Sequence, residues 1–308
     1  MLFEKLIGNS NAKDILIKAI NLNNILHSYM FIGPEGVGKK QFAKQFAKMV
    51  LCMKTDKEEN GPCNECKSCI EFESNNNPDF YILEEEQTNI KIEQIRMLQS
   101  KIYEKPIISD KKVYIIDNSE KMTKEAQNSL LKTLEEPPEY IIIILISSNE
   151  NILLNTIKSR CMKIPFNKIE DDVLEKYLEE EHKYKIDKSK ISIYEGSIKK
   201  ALILKEKEEL YNNVETFFKM LEKDNIIDIL NNSEVIYKNK ENIYDILEYI
   251  NILLFNKTKE DKKSSYNLIK YTKCIDIVEK TKKKLKANSN FDMCIDSMLF
   301  NMRKEFES

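Results

Sequence analysis

Residues 113–161 constrain the fold more than any other stretch of the chain. They open with VYIID, an apolar run closing on Asp117. Such a run predicts a strand buried on both faces that delivers a carboxylate to its C-terminal end. Thr123 then stands where a helix N-cap is expected, ahead of KEAQNSLLKTLEE and a stop at Pro137 and Pro138. A second apolar run, YIIIILI at 140–146, suits the centre of a sheet and ends in the polar Ser147, Ser148 and Asn149. The stretch finishes on Ser159, Arg160 and Cys161. Strand, acid, helix, strand, polar tip and arginine together predict a parallel sheet built to handle nucleotides.

Upstream, residues 11–22 carry a helical apolar face, and YMFI after His27 and Ser28 predicts a strand. Residues 33–40, GPEGVGKK, follow it and meet the phosphate-loop pattern with Gly33, Gly38 and Lys39, Gly36 lying inside the loop. Between a strand and a helix running to about Cys52, such a loop closes backbone N–H groups on phosphate oxygens, and the lysine adds a point charge. The next position departs from the pattern. A Ser or Thr hydroxyl there ligates the magnesium of a bound nucleotide, whereas the Lys40 ammonium has no lone pair to offer a cation. Weakened magnesium-nucleotide binding is therefore expected, and whether ATP binds in this loop stays open.

Four of the seven cysteines, Cys52, Cys63, Cys66 and Cys69, are spaced C-x10-C-x2-C-x2-C. Four thiolates at that spacing close a tetrahedral zinc site with no open position, so the expected role is structural. Asn77, Pro78 and Asp79 lead into a predicted strand at 80–83, IKIEQIRMLQ from Ile90 reads as an amphipathic helix, and a strand follows at 111–116. Strands near 29, 80, 113, 141 and 162 with helices between them predict a doubly wound, parallel five-stranded α/β sheet.

Past Pro165 the pattern turns helical. Segments at 170–181, 187–194 and 197–206 predict a small lid. From 208 to 308 the helical periodicity continues with no strand or glycine-rich loop, as in a bundle that packs against its own chain or against partners. The expected division is a nucleotide-binding-type domain at 1–166 with the four-cysteine zinc module at about 52–69, a helical lid at 167–207 and a helical domain at 208–308. The length of 308 residues suits two or three domains. With 49 basic and 51 acidic residues no global field attracts nucleic acid, so any DNA contact is a local patch. No apolar run approaches the ~20 residues a membrane helix needs, and the N-terminus lacks the apolar core of a secretory signal. A cytoplasmic protein is expected, where clustered cysteines hold metal rather than disulfides.

The ordered set HSYMFIGPEGVGKK, the cysteine module, NPDFYIL, IKIEQIR, KVYIIDNSEKMTKEAQNSLLKTLEEPP and ILLNTIKSRC resembles the bacterial clamp-loader subunits of the AAA+ class, those of DNA polymerase III. The resemblance covers about 1–205, and for 208–308 it rests on helical content and length, where that family has an oligomerising collar domain. Within the family the chain is most similar to the delta-prime branch. The family's ATP-hydrolysing gamma/tau branch follows the strand acid with a water-polarising Glu, where this chain has Asn118, which is no general base. Lys199 falls where active subunits read the nucleotide with an Arg, and a lysine offers one charge in place of a planar fork.

The resemblance then implies a role for Arg160 as an arginine finger, offered in trans to ATP on a neighbouring ATPase subunit. It makes Gly33, Gly36, Gly38, Lys39 and Asp117 a degenerate nucleotide site, and puts Ser148 at the first sensor position, where a helix or turn cap explains it equally well. Ser159 is expected to shape a turn and Cys161 to be a small buried hydrophobe. His27 is open between packing and a hydrogen bond near the pocket; His182 is expected to face water, and Lys124 and Lys132 are open between facing water and the DNA phosphate contact that the resemblance allows. Implied partners are gamma/tau ATPase subunits, the delta subunit, the sliding clamp and, through the complex, primed DNA. Gly33, Lys39 and Asp117 keep an alternative open, a working gamma/tau-type ATPase. A stand-alone zinc-dependent nucleic-acid-binding module lacks the interleaved basic and aromatic residues it would need.

Overall fold

The computed structural model describes residues 6–54, 61–85, 88–185, 194–260 and 265–307. The apolar runs become parallel strands β1 (Ser28–Ile32), β2 (Phe80–Leu83), β3 (Lys112–Ile116), β4 (Ile141–Ser147) and β5 (Met162–Pro165). They form a five-stranded sheet in the order β2-β3-β4-β1-β5. All seven residues of β4 are buried, as its place in the middle of the sheet demands.

Helices cover both faces of this sheet. Tyr29, Phe31, Val113, Ile115, Ile142 and Ile144 turn to one face, where α1 (Ser10–Asn21) and α2 (Lys39–Leu51) add Leu16, Phe42 and Phe46. Met30, Tyr114, Ile116, Ile143 and Leu145 turn to the other, against Leu98 of α4 (Ile92–Ile102) and Leu130 of α5 (Lys124–Glu135), α3 (Lys67–Glu73) lying earlier in the chain. Successive strand residues alternate between two apolar layers, so a strand with no polar face in its sequence is fully satisfied. Each fully buried Ile or Phe contributes roughly 1.5–3 kcal/mol.

Local signals set the helix ends. The Thr123 hydroxyl accepts the Ala126 N–H at 3.2 Å, and α5 stops at Glu135, two residues before Pro137. The helix expected from Ile90 starts at Ile92 instead. The Ile90 N–H donates to the Lys121 carbonyl at 3.0 Å and its carbonyl accepts the Thr123 N–H at 3.0 Å, which holds it in an extended bridge. After α6 (Asn155–Lys158) and β5 come α7 (Asp171–His182) and α8 (Ile198–Glu206); the lid segment expected at 187–194 lies almost wholly outside the described residues.

The chain divides into two compact units, Met1–Ala201 and Leu202–Ser308. The described residues of the second are helical: α9 (Glu208–Lys223), α10 (Ile226–Asn231), α11 (Glu234–Tyr237), α12 (Ile243–Glu260), α13 (Ser265–Lys286) and α14 (Phe291–Glu307), with one short 3-10 turn at Lys240–Asn242. Val214, Phe217, Phe218 and Leu221 form the buried stripe of α9. Arg303 of α14 donates to the Leu221 and Glu222 carbonyls at 3.4 and 2.9 Å, satisfying acceptors that the last turn of α9 leaves open. No described helix is long and apolar enough to cross a membrane.

Candidate functional site

Three neighbouring strands deliver the expected site residues to one edge of the sheet, the carboxyl edge where parallel sheets bind ligands. β1 runs into Gly33, β3 into Asp117 and β4 into Ser148. A Cβ on Gly33 would lie 2.1 Å from the Phe166 carbonyl oxygen, and Gly36, at φ +78°, leaves 2.1 Å between its Cβ position and the Ser197 hydroxyl. Only glycine fits at either place. Gly38, at φ 95°, caps α2. The start of α8 is laid onto this loop, since the Ile198 N–H donates to the Gly36 carbonyl at 2.9 Å.

Lys39 opens α2 and is buried. Its ammonium donates to the Gly33 and Pro34 carbonyls at 2.5 and 2.6 Å. Burial lowers its pKa, against the opposing pull of the Glu120, Asp117 and Glu35 carboxylates. Lys40, one residue on, turns to the strand edge. Its ammonium lies 3.0 Å from an Asp117 carboxylate oxygen and also pairs with Glu84. Burial works to lower the Lys40 pKa, but the bonds to Glu84 and Asp117 outweigh it and the net direction is up.

Asn118 sits at φ 48°, with its backbone N–H on Asp117 at 3.0 Å. Its amide donates to the two Glu85 carboxylate oxygens at 3.0 and 3.3 Å. Glu85 also pairs with Lys121. The Lys121 hydrogen bond, helped by that from Asn118, holds the Glu85 carboxyl down at about 2. Ser148 gives its backbone N–H, at 3.0 Å, and its hydroxyl to Glu120. Lys199 pairs with Glu35 of the phosphate loop at 2.6 Å.

Arg160 is brought to the opposite edge. It precedes β5, and its carbonyl accepts the Ser28 hydroxyl at 2.6 Å, at the first residue of β1. Four residue steps of a parallel strand, about 13 Å, therefore separate that anchor from the end of β1 that enters Gly33. The guanidinium is one-third exposed; it reaches Glu135 at 2.8 Å and the Thr156 carbonyl at 2.8 Å. Ser159 donates to Thr156 and accepts from Arg160, which closes the turn. Cys161 is buried and its thiol is pushed up to about 11 by that burial, so it packs and does not react. His27 is exposed at the amino end of β1, away from the phosphate loop. His182 lies half-buried with its ring edge-on to Tyr177, while Lys124 and Lys132 are exposed.

The four cysteine sulfurs converge to within 4.8 Å of one another. Cys52 caps the end of α2 and Cys66 caps the start of α3, its sulfur accepting the Cys69 N–H. The Cys63 and Cys66 N–H groups likewise donate to the Cys52 and Cys63 sulfurs, at 3.4 and 3.3 Å. Inward sulfurs with N–H donors behind them are a donor set able to hold a metal ion.

Several working residues of this region carry little signal in the sequence. Glu35, Glu84, Glu85 and Glu120 hold the lysines, Asn118 and Ser148; the only hint is a run of three acids directly after the apolar run FYIL. Asp79 reads in sequence as no more than the lead-in to a strand. Its buried carboxylate accepts the N–H groups of Ile107, Ile108 and Ser109 at 2.8, 2.7 and 2.8 Å. The Ser109 hydroxyl in turn donates to the Leu51 carbonyl and accepts from the Ser68 hydroxyl, tying the cysteine module to the sheet.

The family model for "DNA polymerase III, delta subunit" matches residues 8–170, over half of the chain. The chain belongs to the DNA polymerase III delta subunit family. Among relatives in it and beside it, the chain is 36% identical over 167 residues to the DNA polymerase III subunit delta' of Bacillus subtilis, covering 54% of this chain and 50% of that one. It is 35% identical over 179 residues to the subunit gamma/tau of Mycoplasma pneumoniae, covering 58% of this chain and 26% of that one. The match thus spans half or less of these relatives' length. A solved DNA polymerase III gamma subunit-related protein of Thermotoga maritima shares the fold, at TM-score 0.51 and 18% identity over 96% of this chain and 99% of that one.

Proposed function

We propose that this chain is a delta-prime-type, non-hydrolysing subunit, a stator, of a cytoplasmic DNA polymerase III clamp loader. It joins gamma/tau ATPase subunits and the delta subunit to load the sliding clamp on primed DNA, and it supplies Arg160 to a neighbour's ATP. The observation that carries this reading is the placement of Arg160 at the sheet edge opposite the chain's own phosphate loop. From there it reaches a nucleotide only on another chain. Its own loop lacks the base, since Asn118 holds the position after Asp117 and its amide is spent on Glu85. Leaving Glu135 costs Arg160 little, because exposed ion pairs are worth about 0–1 kcal/mol.

In this reading residues 1–166 are the AAA+ domain, 167–207 the lid, whose last six residues fall in the second unit, and 208–308 the collar that oligomerises. The cysteine module holds a structural zinc ion through Cys52, Cys63, Cys66 and Cys69. A tetrahedral Zn–S length of about 2.3 Å sets sulfurs roughly 3.8 Å apart, and Cys63 and Cys69 lie at 3.9 Å. The ion would close the module and take no part in hydrolysis.

The test is Arg160→Ala in a loader reconstituted with its ATPase subunits. Assembly should survive while DNA-stimulated turnover at the facing site falls by at least an order of magnitude, lost arginine fingers costing about 10³–10⁵ in rate. Unchanged turnover there refutes the role in trans. A gamma/tau-type ATPase is favoured instead by the intact Gly33, Gly36, Gly38 and Lys39 and by the gamma/tau identity; it predicts ATP hydrolysis by the chain alone that Lys39→Ala abolishes.

A further inference from the structure

A magnesium ion at a phosphate loop needs two things from the protein: a hydroxyl at the eighth loop position and a free carboxylate at the end of the adjacent strand. Neither is present in this chain. The eighth position is Lys40, and its ammonium lies 3.0 Å from Asp117 while also pairing with Glu84. The ammonium therefore holds the carboxylate that would otherwise take a share of a divalent cation. Among the described residues at this edge, Glu35 and Glu85 are also engaged, by Lys199 and by Lys121 with Asn118, and Glu120 holds Ser148 through Oε1 while its buried Oε2 has no hydrogen-bond partner.

The anion-binding half of the loop is nonetheless preserved. The Gly33 and Gly36 backbones lie closer to Phe166 and Ser197 than any Cβ would allow, and Lys39 stays buried against the loop carbonyls. A lysine in that position exchanges carbonyl partners for phosphate oxygens without moving its backbone. We infer that this site takes a nucleoside polyphosphate without its magnesium, Lys40 acting as a tethered cation in the metal's place, so that magnesium opposes binding instead of assisting it. A metal-bearing nucleotide brings a divalent charge against the Lys40 ammonium, which Asp117 and Glu84 hold at that position. A metal-free nucleotide meets an Asp117 carboxylate whose charge is already offset. Such a site binds and does not hydrolyse, because Asn118, after Asp117, is no general base and its amide is held by Glu85.

This inference deepens the stator reading but is separable from it. The experiment titrates the full-length protein with ATP by isothermal calorimetry, once in EDTA and once in excess magnesium chloride, beside Lys39→Ala and Lys40→Thr. Expected are saturable binding in EDTA that Lys39→Ala removes, and affinity weakened by magnesium. Lys40→Thr should reverse the order, with magnesium tightening ATP by about tenfold or more, a change of about 1.4 kcal/mol. Tighter wild-type binding in magnesium overturns the inference, as does no binding in either buffer. Both outcomes leave the Arg160 test standing, whereas steady ATP turnover by the chain alone would sink the stator reading as well.

Discussion

Replacing Asp79 by Asn asks whether one buried carboxylate holds the cysteine module to the sheet. One Asp79 oxygen accepts the Ile107 N–H and the other accepts those of Ile108 and Ser109. An asparagine amide must aim its nitrogen at one set. The better orientation points it at Ile107 and leaves that one donor unmet, at about 1–3 kcal/mol. The two remaining bonds pass from charge-assisted to neutral acceptors, at roughly 1 kcal/mol each. The expected loss is about 3–5 kcal/mol, a large part of the 5–15 kcal/mol typical of a whole domain. Urea unfolding followed by far-ultraviolet circular dichroism reads it, and with two compact units the shift belongs to the transition of Met1–Ala201 alone. Asp110→Asn, at an exposed position two residues past Ile108, is the control and should stay within about 0.5 kcal/mol. Because Ser109 bonds Leu51 and Ser68, the Asp79 variant should also release bound zinc faster. A loss below about 1 kcal/mol would refute the accounting of these three bonds.

Two further outcomes are expected. The purified chain should carry one zinc ion by atomic absorption, and Cys63→Ser should lose it together with thermal stability of the first unit; a metal-free wild type that melts no lower would count against a structural ion. The pair of Glu85 with Lys121 should be visible against pH. Glu85 is held at about 2 in the folded chain against an ordinary 4.5, so its stabilisation is present above 4.5 and drains away as pH falls toward 2. Glu85→Gln should therefore be less stable than wild type near neutral pH, the gap in urea midpoint closing on acidification. A gap independent of pH would show that the carboxylate's charge is not what Lys121 and Asn118 hold.

Much of the fold was legible because its signals are local. An apolar run such as 140–146 has no polar face to expose, so a strand covered on both sides is its only stable use. Thr123 and Pro137 bracket α5 through bonds and clashes that span a few residues. The cysteine spacing and the phosphate-loop pattern are local in the same sense, the four sulfurs converging and Gly33 and Gly36 packing against Phe166 and Ser197 where a Cβ would clash. Periodicity misplaces the start of α4 by two residues because its competitor is distant: Ile90 pairs with Lys121 and Thr123.

The amino-acid sequence by itself determined which residues could serve in chemistry, since Lys40 and Asn118 have the wrong atoms for a magnesium ligand and a general base wherever they are placed. What they do instead was decided only in three dimensions. That Lys40 is spent on Asp117 and Glu84, Asn118 on Glu85 and Ser148 on Glu120 depends on which strand ends meet at one sheet edge. The opposite position of Arg160 depends likewise on β5 running parallel to β1. Side-chain identity travels with the chain, but pairing across tens of residues is set by strand order, and strand order is a property of the packed sheet as a whole.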